Sequence, residues 1–338
     1  MQIVSRAPVR TADLGGWTDT WFASSGYVCS IAVEPGIQVE LELNSGRRGH
    51  VDGPMITVDA GMGATVYVLT PGRPPDRVDP LIAAAVAAAP PPFDVSIRIT
   101  SGVPAGCGLG TSAALAVALL GGLHAVHGRS PAPADLASEA HRIETSLGLQ
   151  SGVQDQLAAA FGGAHLFEIS YPGLKSAPKR VPEALMRKLD SSLVTFYLGH
   201  PHRSSAIHEQ VIASLESTDN DHLLEPLRIA ANNGFAALCA EDLDAYGRAL
   251  HDNHRAQIRL HPALVSDLAS RVVEAAGEFG ARGWKVNGAG GEGGSVSVLA
   301  PDDEKLRTQM IAAVEAIESV TRLSLRCASS GLTVVRVR

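Results

Sequence analysis

The chain of 338 residues carries a formal charge of -7, with 45% hydrophobic and 19% charged residues. That balance belongs to a globular protein and offers no basic footprint for nucleic acid or for an anionic lipid surface. The length exceeds what one core usually fills, about 250–300 residues, so two modest domains with a cleft between them are expected.

Four cysteines, Cys29, Cys107, Cys239 and Cys327, lie far apart without a C-x-x-C pair or paired-histidine spacing, and read as reduced thiols of a cytoplasmic protein. Met1 to Arg6 runs into strand-like sequence with no signal-peptide apolar core. The most apolar run, Leu81 to Ala89, is far shorter than the ~20 residues of a membrane span and ends at Pro90-Pro91-Pro92. Neither secretion nor membrane insertion is expected.

In chain order, Gln2 to Val9 reads as a strand, followed by Arg10-Thr11-Ala12-Asp13-Leu14-Gly15-Gly16-Trp17-Thr18-Asp19-Thr20. Carboxylates that accept from hydroxyls, a flat indole and space-giving glycines suit a polyol pocket; an ordinary Gly-Gly turn with a polar cap is the plainer reading. Tyr27 to Val33 and Gly36 to Leu43 predict antiparallel strands split by a Pro35-Gly36 turn, and Ile56 to Asp59 and Ala64 to Leu69 continue the sheet.

Phe93 to Thr100 alternates as a half-buried strand, and Ala113 to Val126 is a helical run. Between them lies Pro104-Ala105-Gly106-Cys107-Gly108-Leu109-Gly110-Thr111-Ser112-Ala113-Ala114. Glycines bring main-chain N–H groups close to a ligand, and the helix start adds unpaired donors and a positive dipole end, so the stretch predicts a phosphate cradle. The alternative is a strand-to-helix turn capped by Thr111 or Ser112. After a loop at Ser130 to Pro133, a helix is expected from Ala134 to Leu147. Near its end Glu144 and Asp155 flank a glycine-containing break. Such a pair can divide phosphoryl transfer, one holding magnesium and one orienting the attacking hydroxyl; alternatively Glu144 faces solvent and Asp155 caps the helix of Leu157 to Phe161.

Ala164 to Ile169 is a strand, and Tyr171 to Arg180 is the expected domain boundary, dividing the chain into 1–175 and 185–338. Beyond it come a strand at Ser192 to Leu198 and a polar turn, Gly199 to Ser205, in which Arg203 and the helix start could meet an anion, a Pro-containing turn with a Ser cap being the plainer reading. Long helical patterns follow at Asp221 to Leu260 and Pro262 to Phe279. Lys285-Val286-Asn287-Gly288-Ala289-Gly290-Gly291-Glu292-Gly293-Gly294 formally contains G-x-G-x-x-G, but it enters a strand, Ser295 to Leu299, rather than a helix, so a dinucleotide fold is rejected. A helix at Asp302 to Val320 and strands at Leu323 to Cys327 and Leu332 to Val337 complete a second half read as a small sheet backed by helices.

Taken in order, Ala7-Pro8-Val9-Arg10 with Gly15 to Asp19, Pro104 to Ala114, and Gly288 to Gly294 resemble the three motifs of the GHMP kinases, the family of galactokinase, homoserine kinase and mevalonate kinase. The resemblance covers nearly the whole chain. It implies an α+β fold of two domains, the first like domain 2 of ribosomal protein S5 and the second a ferredoxin-like α/β sandwich. ATP and Mg2+ are the implied cofactors. Pro104, Gly106, Gly108, Leu109, Gly110, Thr111, Ser112 and Ala113, with Gly288, Ala289, Gly290 and Gly291, are implied on the nucleotide, and Ser112 and Glu144 on the metal. Asp155 and Arg10 are the implied catalytic pair.

Leu14-Gly15-Gly16-Trp17-Thr18-Asp19-Thr20 looks like the first motif of fucokinases and bacterial heptose 7-phosphate kinases, and Gly152 to Gln156 resembles the heptose kinase catalytic segment. The resemblance thus puts Gly16, Trp17, Thr18, Asp19, Gly152, Gln154 and Arg203 on the substrate, and implies transfer to the anomeric hydroxyl of a mannoheptose or its 7-phosphate. A fucokinase-like or other sugar 1-kinase is the alternative, since Trp17 stands where a heptose kinase would have glycine. A silent sensor and a kinase of a non-sugar alcohol are further readings. Glu292 interrupts the usual glycine run. The expected partner is a sugar or sugar phosphate, with no nucleic acid and no membrane; monomer and homodimer both stay open.

Overall fold

The computed structural model describes residues 1–44, 53–61, 64–70, 75, 77–201, 206–217 and 221–337. The chain is α+β, and two sheets organise the described residues, one of ten strands and one of four. In the first, β1 (Gln2–Leu14) lies antiparallel on β2 (Ser25–Leu43), which carries β5 (Val95–Ser101) along one half and β6 (Ala164–Ser170) along the other. Beyond β5 come β3 (Met55–Asp59) and β4 (Ala64–Val68). Short strands β7 (Gly173–Leu174) and β8 (Lys179–Arg180) pair with β6.

β2 continues through Pro35 and Gly36, where a hairpin turn is expected from the sequence, with two extra residues there relative to β1. The glycine is there for a close crossing: a Cβ on Gly36 would lie 2.1 Å from the Ala7 carbonyl oxygen, at a register shift in β1. A second irregularity in β1 places Thr11 opposite Ile31 but Leu14 opposite Cys29, so β1 carries one extra residue there, with Ala12 at φ +50°. Such a bulge reverses the alternation of faces downstream of it.

Helices α1 (Pro80–Ala88), α2 (Thr111–Val126), α3 (Pro133–Ser146) and α4 (Gln154–Phe161) share the core of this sheet. α2 is apolar all round and buried along nearly its whole length, as befits a central core helix. Gly121 and Gly122 let Leu332 and Leu41 pack onto its backbone, since a Cβ at either position would lie under 3.0 Å from them.

After α5 (Glu183–Ser192), β9 (Leu193–Tyr197) opens the second sheet, whose order is β10 (Gly283–Val286), β11 (Ser295–Leu299), β9 and β12 (Thr321–Leu323). It is backed by α9 (Asp267–Glu278) and α10 (Glu304–Glu315) around Phe196, Val272, Val298 and Met310. α6 (Ala206–Ser217) packs on Trp17 in a small apolar cluster.

The 221–260 pattern is two helices, α7 (Asp221–Cys239) and α8 (Leu243–Leu260), parted where Glu241 takes φ +56° and Asp242 caps α8; α7 packs on the first sheet, and α8 packs on α7 and on β10 of the second. α10 is shorter than expected. The last two strands also leave the second sheet: β13 (Arg326–Cys327) pairs with β2, and β14 (Thr333–Val337) pairs with β1. No helix among the described residues is long and apolar enough to cross a membrane.

Candidate active site

Between β5 and α2 the chain turns through Gly106, Gly108 and Gly110 at φ +68°, +74° and +74°, the left-handed region that glycine enters without strain. Gly110 is the N-cap of α2, and no side chain caps it, so the expected alternative of a Thr111 or Ser112 cap does not form. The first-turn N–H groups of α2 are thereby left to an anion. Leu109 and Ala113 bury their side chains in the core and offer the loop only their backbone; the Leu109 carbonyl accepts from Arg10 N at 3.0 Å. These features fit the phosphates of a nucleotide.

The glycine loop before β11 closes against this turn. A Cβ on Gly108 would sit 3.2 Å from the Asn287 carbonyl oxygen, one on Gly288 would sit 3.1 Å from the Gly108 oxygen, and Ser295 Oγ donates to the Cys107 carbonyl at 2.6 Å. Gly290 makes its close approach elsewhere, because a Cβ there would meet the Leu264 carbonyl at 2.3 Å, and Gly291 N donates to that carbonyl at 2.7 Å. Gly288 and Ala289 face a cavity beside Arg10, whereas Gly290 and Gly291 pack the loop onto the segment after α8.

Arg10 and Asp155 meet as a fork. Arg10 Nε donates to Asp155 Oδ1 at 2.8 Å and Nη2 to Oδ2 at 3.2 Å, while Nη1 donates to the Gly108 carbonyl. Burial alone would lower the pKa of the Arg10 guanidinium, but the carboxylates of Asp13 and Asp155 hold it above its ordinary value. Asp155 lies in the first turn of α4, whose N-cap is Val153, so it does not cap the helix. It also presses on the cradle: a Cβ at Gly110 would be 2.9 Å from Asp155 Cγ.

Ser112 Oγ donates to Glu144 Oε1 at 2.6 Å, and Gln156 Nε2 donates to Glu144 Oε2. Glu144 is buried rather than solvent-facing; burial raises its pKa, against these two hydrogen bonds. Two hard oxygens beside the cradle fit a magnesium ion that takes its other ligands from phosphate and water. No group of three or more His, Cys, Asp or Glu that could hold a metal occurs among the described residues.

The cavity, of about 370 Å3, opens beside Arg10 and Asp155. Gly16, Trp17, Asp19, Gly152 and Gln154 line it, joined by Trp21, Phe22 and Ser151. Asp19 Oδ2 accepts from Gln154 N at 2.9 Å, and a Cβ on Gly152 would strike that same oxygen at 2.0 Å. Burial pushes the Asp19 carboxyl up to about 6, with the Asp155 charge adding to it. Trp17 Nε1, Ser151 Oγ and Gln154 Oε1 are buried without a partner, as groups kept for a polar ligand would be.

Thr18 is not at the cavity: it is fully buried, and its hydroxyl donates to Gly15 O at 2.7 Å, closing the turn. Arg203 lies outside the described residues. A larger groove of about 1080 Å3, walled in part by Arg6, Glu34, Thr100 and Arg322, contains none of Arg10, Ser112, Glu144 or Asp155.

Asp13, expected with Asp19 among the carboxylates of a polyol pocket, does not line the cavity, and sequence reasoning passes over Lys285 and His208. Asp13 and Lys285 are fully buried and paired, with Nζ to Oδ2 at 3.3 Å. His208 on α6 meets the Trp17 ring edge-on at 5.9 Å and bonds the Gly290 carbonyl at 3.1 Å. A lysine at an inward position of β10 is the one signal that could have been noticed, because a buried lysine needs a carboxylate.

The profile of the GHMP kinases N terminal domain matches residues 80–163, and the chain carries that domain. The bifunctional fucokinase/GDP-fucose pyrophosphorylase of Arabidopsis thaliana is 26% identical over 322 residues, covering 89% of this chain and 30% of that protein. The mevalonate kinase of Methanothermobacter thermautotrophicus is 28% identical over 214 residues, 61% of this chain and 65% of that protein. The chain thus spans about a third and about two thirds of the lengths of these two relatives. The crystal structure of a D-glycero-D-manno-heptose 1-phosphate kinase from Bacteriodes thetaiotaomicron has a TM-score of 0.76 at 18% identity, over 99% of each chain, and shares the fold.

Proposed function

We propose that this chain, a bearer of the GHMP kinase N-terminal domain, is an ATP-dependent sugar kinase that transfers the γ-phosphoryl group to an anomeric hydroxyl, most readily that of a mannoheptose or mannoheptose 7-phosphate. The observation that carries the reading is the position of Asp155, forked on Arg10, pressed against the Gly110 cradle and facing a cavity with partnerless polar groups. Backbone N–H groups of Gly106 to Ser112 would receive the β- and γ-phosphates, with Ser112 and Glu144 holding magnesium, which offsets charge on the phosphates when bound.

Each Asp155 oxygen keeps a lone pair beyond its bond to Arg10, so the carboxylate can accept from the attacking hydroxyl. Arg10 orients that carboxylate through the fork and sits where transferring charge develops. Asp19, Gln154 and Ser151 would take sugar hydroxyls. An anomeric hydroxyl is more acidic than an ordinary alcohol, so orientation carries more of the catalysis than basicity does.

A second reading, a fucokinase-like enzyme acting on an uncharged 6-deoxy sugar, is favoured by the wall of Trp17, Trp21 and Phe22 and by the similarity to a bifunctional fucokinase. The described wall adds carboxylates at Asp19 and Glu209, and the cation Arg10 is already engaged. A distal phosphate would therefore draw on Arg203.

The test is ADP release with ATP and magnesium over mannoheptose, mannoheptose 7-phosphate, fucose, galactose, arabinose and mevalonate, with phosphorus NMR locating the new ester. Sugar-dependent ADP and a C1 phosphate are expected; turnover of mevalonate alone, or of nothing, counts against a sugar kinase. Arg203→Ala should raise KM for the 7-phosphate about tenfold and leave the free sugar unchanged, a single lost charge contact being worth roughly 1.4 kcal/mol or more.

A further inference from the structure

One carboxylate joins three parts of the molecule that the sequence separates widely. Asp13 Oδ1 lies 3.5 Å from Arg10 Nη1 and accepts the Gly288 N–H at 3.1 Å, and Asp13 Oδ2 lies 3.3 Å from Lys285 Nζ. Lys285 also donates to the Val286 carbonyl at 2.6 Å. Arg10, Asp13 and Lys285 are all at most 3% exposed. The row of charge continues from Arg10 to Asp155, giving two cations and two carboxylates in alternation.

The bulge at Ala12 makes this possible. Without it, Arg10 and Asp13 would point to opposite faces of β1, three positions apart in a period of two. The amide that the bulge frees, Ala12 N, donates to Asn287 Oδ1 at 3.0 Å, so the loop before β11 is held at two consecutive residues, Asn287 and Gly288.

We propose that Asp13 and Lys285 are positioning residues: Lys285 secures the Asp13 carboxylate, which sets Arg10 in its fork with Asp155 and holds the Gly288 loop against the cradle. The role in turnover rests on the kinase reading; the geometric role does not. A buried ion pair adds little net stability over apolar residues, so retaining one beside the reactive groups calls for a positional benefit. Burial opposes both charges. Asp13 is nonetheless held below the ordinary carboxylate range by Arg10 and Lys285, while Lys285, with Arg10 and His254 also near it, falls below the ordinary lysine value.

The experiment uses the full chain in four forms: wild type, Asp13→Asn, Lys285→Met and the double variant Asp13→Asn/Lys285→Met. Arginine-labelled protein gives an Nε–H signal for Arg10, assigned by its loss in Arg10→Lys, whose exchange with water needs no substrate to read. We expect slow exchange in the wild type and at least tenfold faster exchange in all three variants.

With any sugar the wild type phosphorylates, kcat should fall on the order of 10²-fold, the scale of a misplaced catalytic group, with KM for ATP and sugar within about threefold. The double variant should recover the melting temperature lost in Asp13→Asn, because it removes the stranded lysine charge, yet remain slow; Lys285→Arg should restore most of kcat. Unchanged Arg10 exchange in Asp13→Asn, or recovery of kcat together with melting temperature in the double variant, overturns the proposal. A wild type that turns over no sugar removes the kinase reading, while the exchange measurement still decides the positioning role.

Discussion

The cradle at Gly106 to Ser112 and the charge cluster of Arg10, Asp13, Lys285 and Asp155 lie in contact, yet they are built in opposite ways. The cradle is local and made of backbone: a few consecutive residues with glycines at positive φ and an uncapped helix start. The charge cluster is made of side chains drawn from β1, β10 and α4, and depends on packing over the full length of the chain. The first can tolerate side-chain change wherever its backbone geometry survives. In the second, the sign and place of each charge must be kept, because each is compensated only by its neighbours.

Asp155→Asn breaks the cluster at its reactive end and should show the largest effect. Turnover should fall about 10³-fold, within the range for removing a positioned acid–base group, with ATP affinity by calorimetry nearly unchanged. Gly110→Ala attacks the cradle where it touches the cluster. The new Cβ would overlap Asp155, and φ is +74°, so kcat should drop on the order of 10²-fold while KM for ATP rises too; that double loss separates it from Asp155→Asn.

Asp19 sharpens the contrast through pH. Its native carboxyl binds a proton more tightly than an unfolded one does, so protonation favours the fold: this group makes stability rise as pH falls through about 6, with the gain complete below the unfolded range near ~4. On the kinase reading, the ionised form is the one that would accept sugar hydroxyls best. KM for the sugar should therefore climb below about pH 6 in the wild type and stay flat in Asp19→Asn, as initial rates at fixed ATP would show. The smallest change expected is for Trp17→Ala: a KM for a 6-deoxy sugar higher by about fivefold, in line with the loss of roughly 1 kcal/mol of ring contact, and no change in ATP affinity.

The same contrast explains what could be read from the chain. Glycine spacing exposed the cradle because its chemistry is its backbone, and the composition of Gly15 to Asp19 exposed the cavity wall, although Thr18 proved to close a turn. The partnership of Arg10 with Asp155 came through resemblance, since nothing local links residues 145 positions apart. The pairing of Asp13 with Arg10 was invisible for a physical reason: strand alternation turns the two apart, and only the bulge at Ala12 brings Asp13 back.

Pro35-Gly36 misled in the other direction, because glycine serves close crossings as well as turns. The strand pattern of Leu332 to Val337 was legible, but alternation does not say which sheet a strand joins, and β14 joins the first.

That last pairing has a consequence for assembly. β14 lies along Gln2 to Arg6 of β1, the strand that carries Arg10 and Asp13 farther on, and the paired residues are more than three hundred positions apart. Contacts of such separation cost loop-closure entropy before they return any stabilisation, and they slow folding. β1 must therefore wait, with one edge unsatisfied, until nearly the whole chain is in place. The strand that bears Arg10 and Asp13 is completed late, so their final arrangement should appear with the docking of β14 and not with the collapse of the first core.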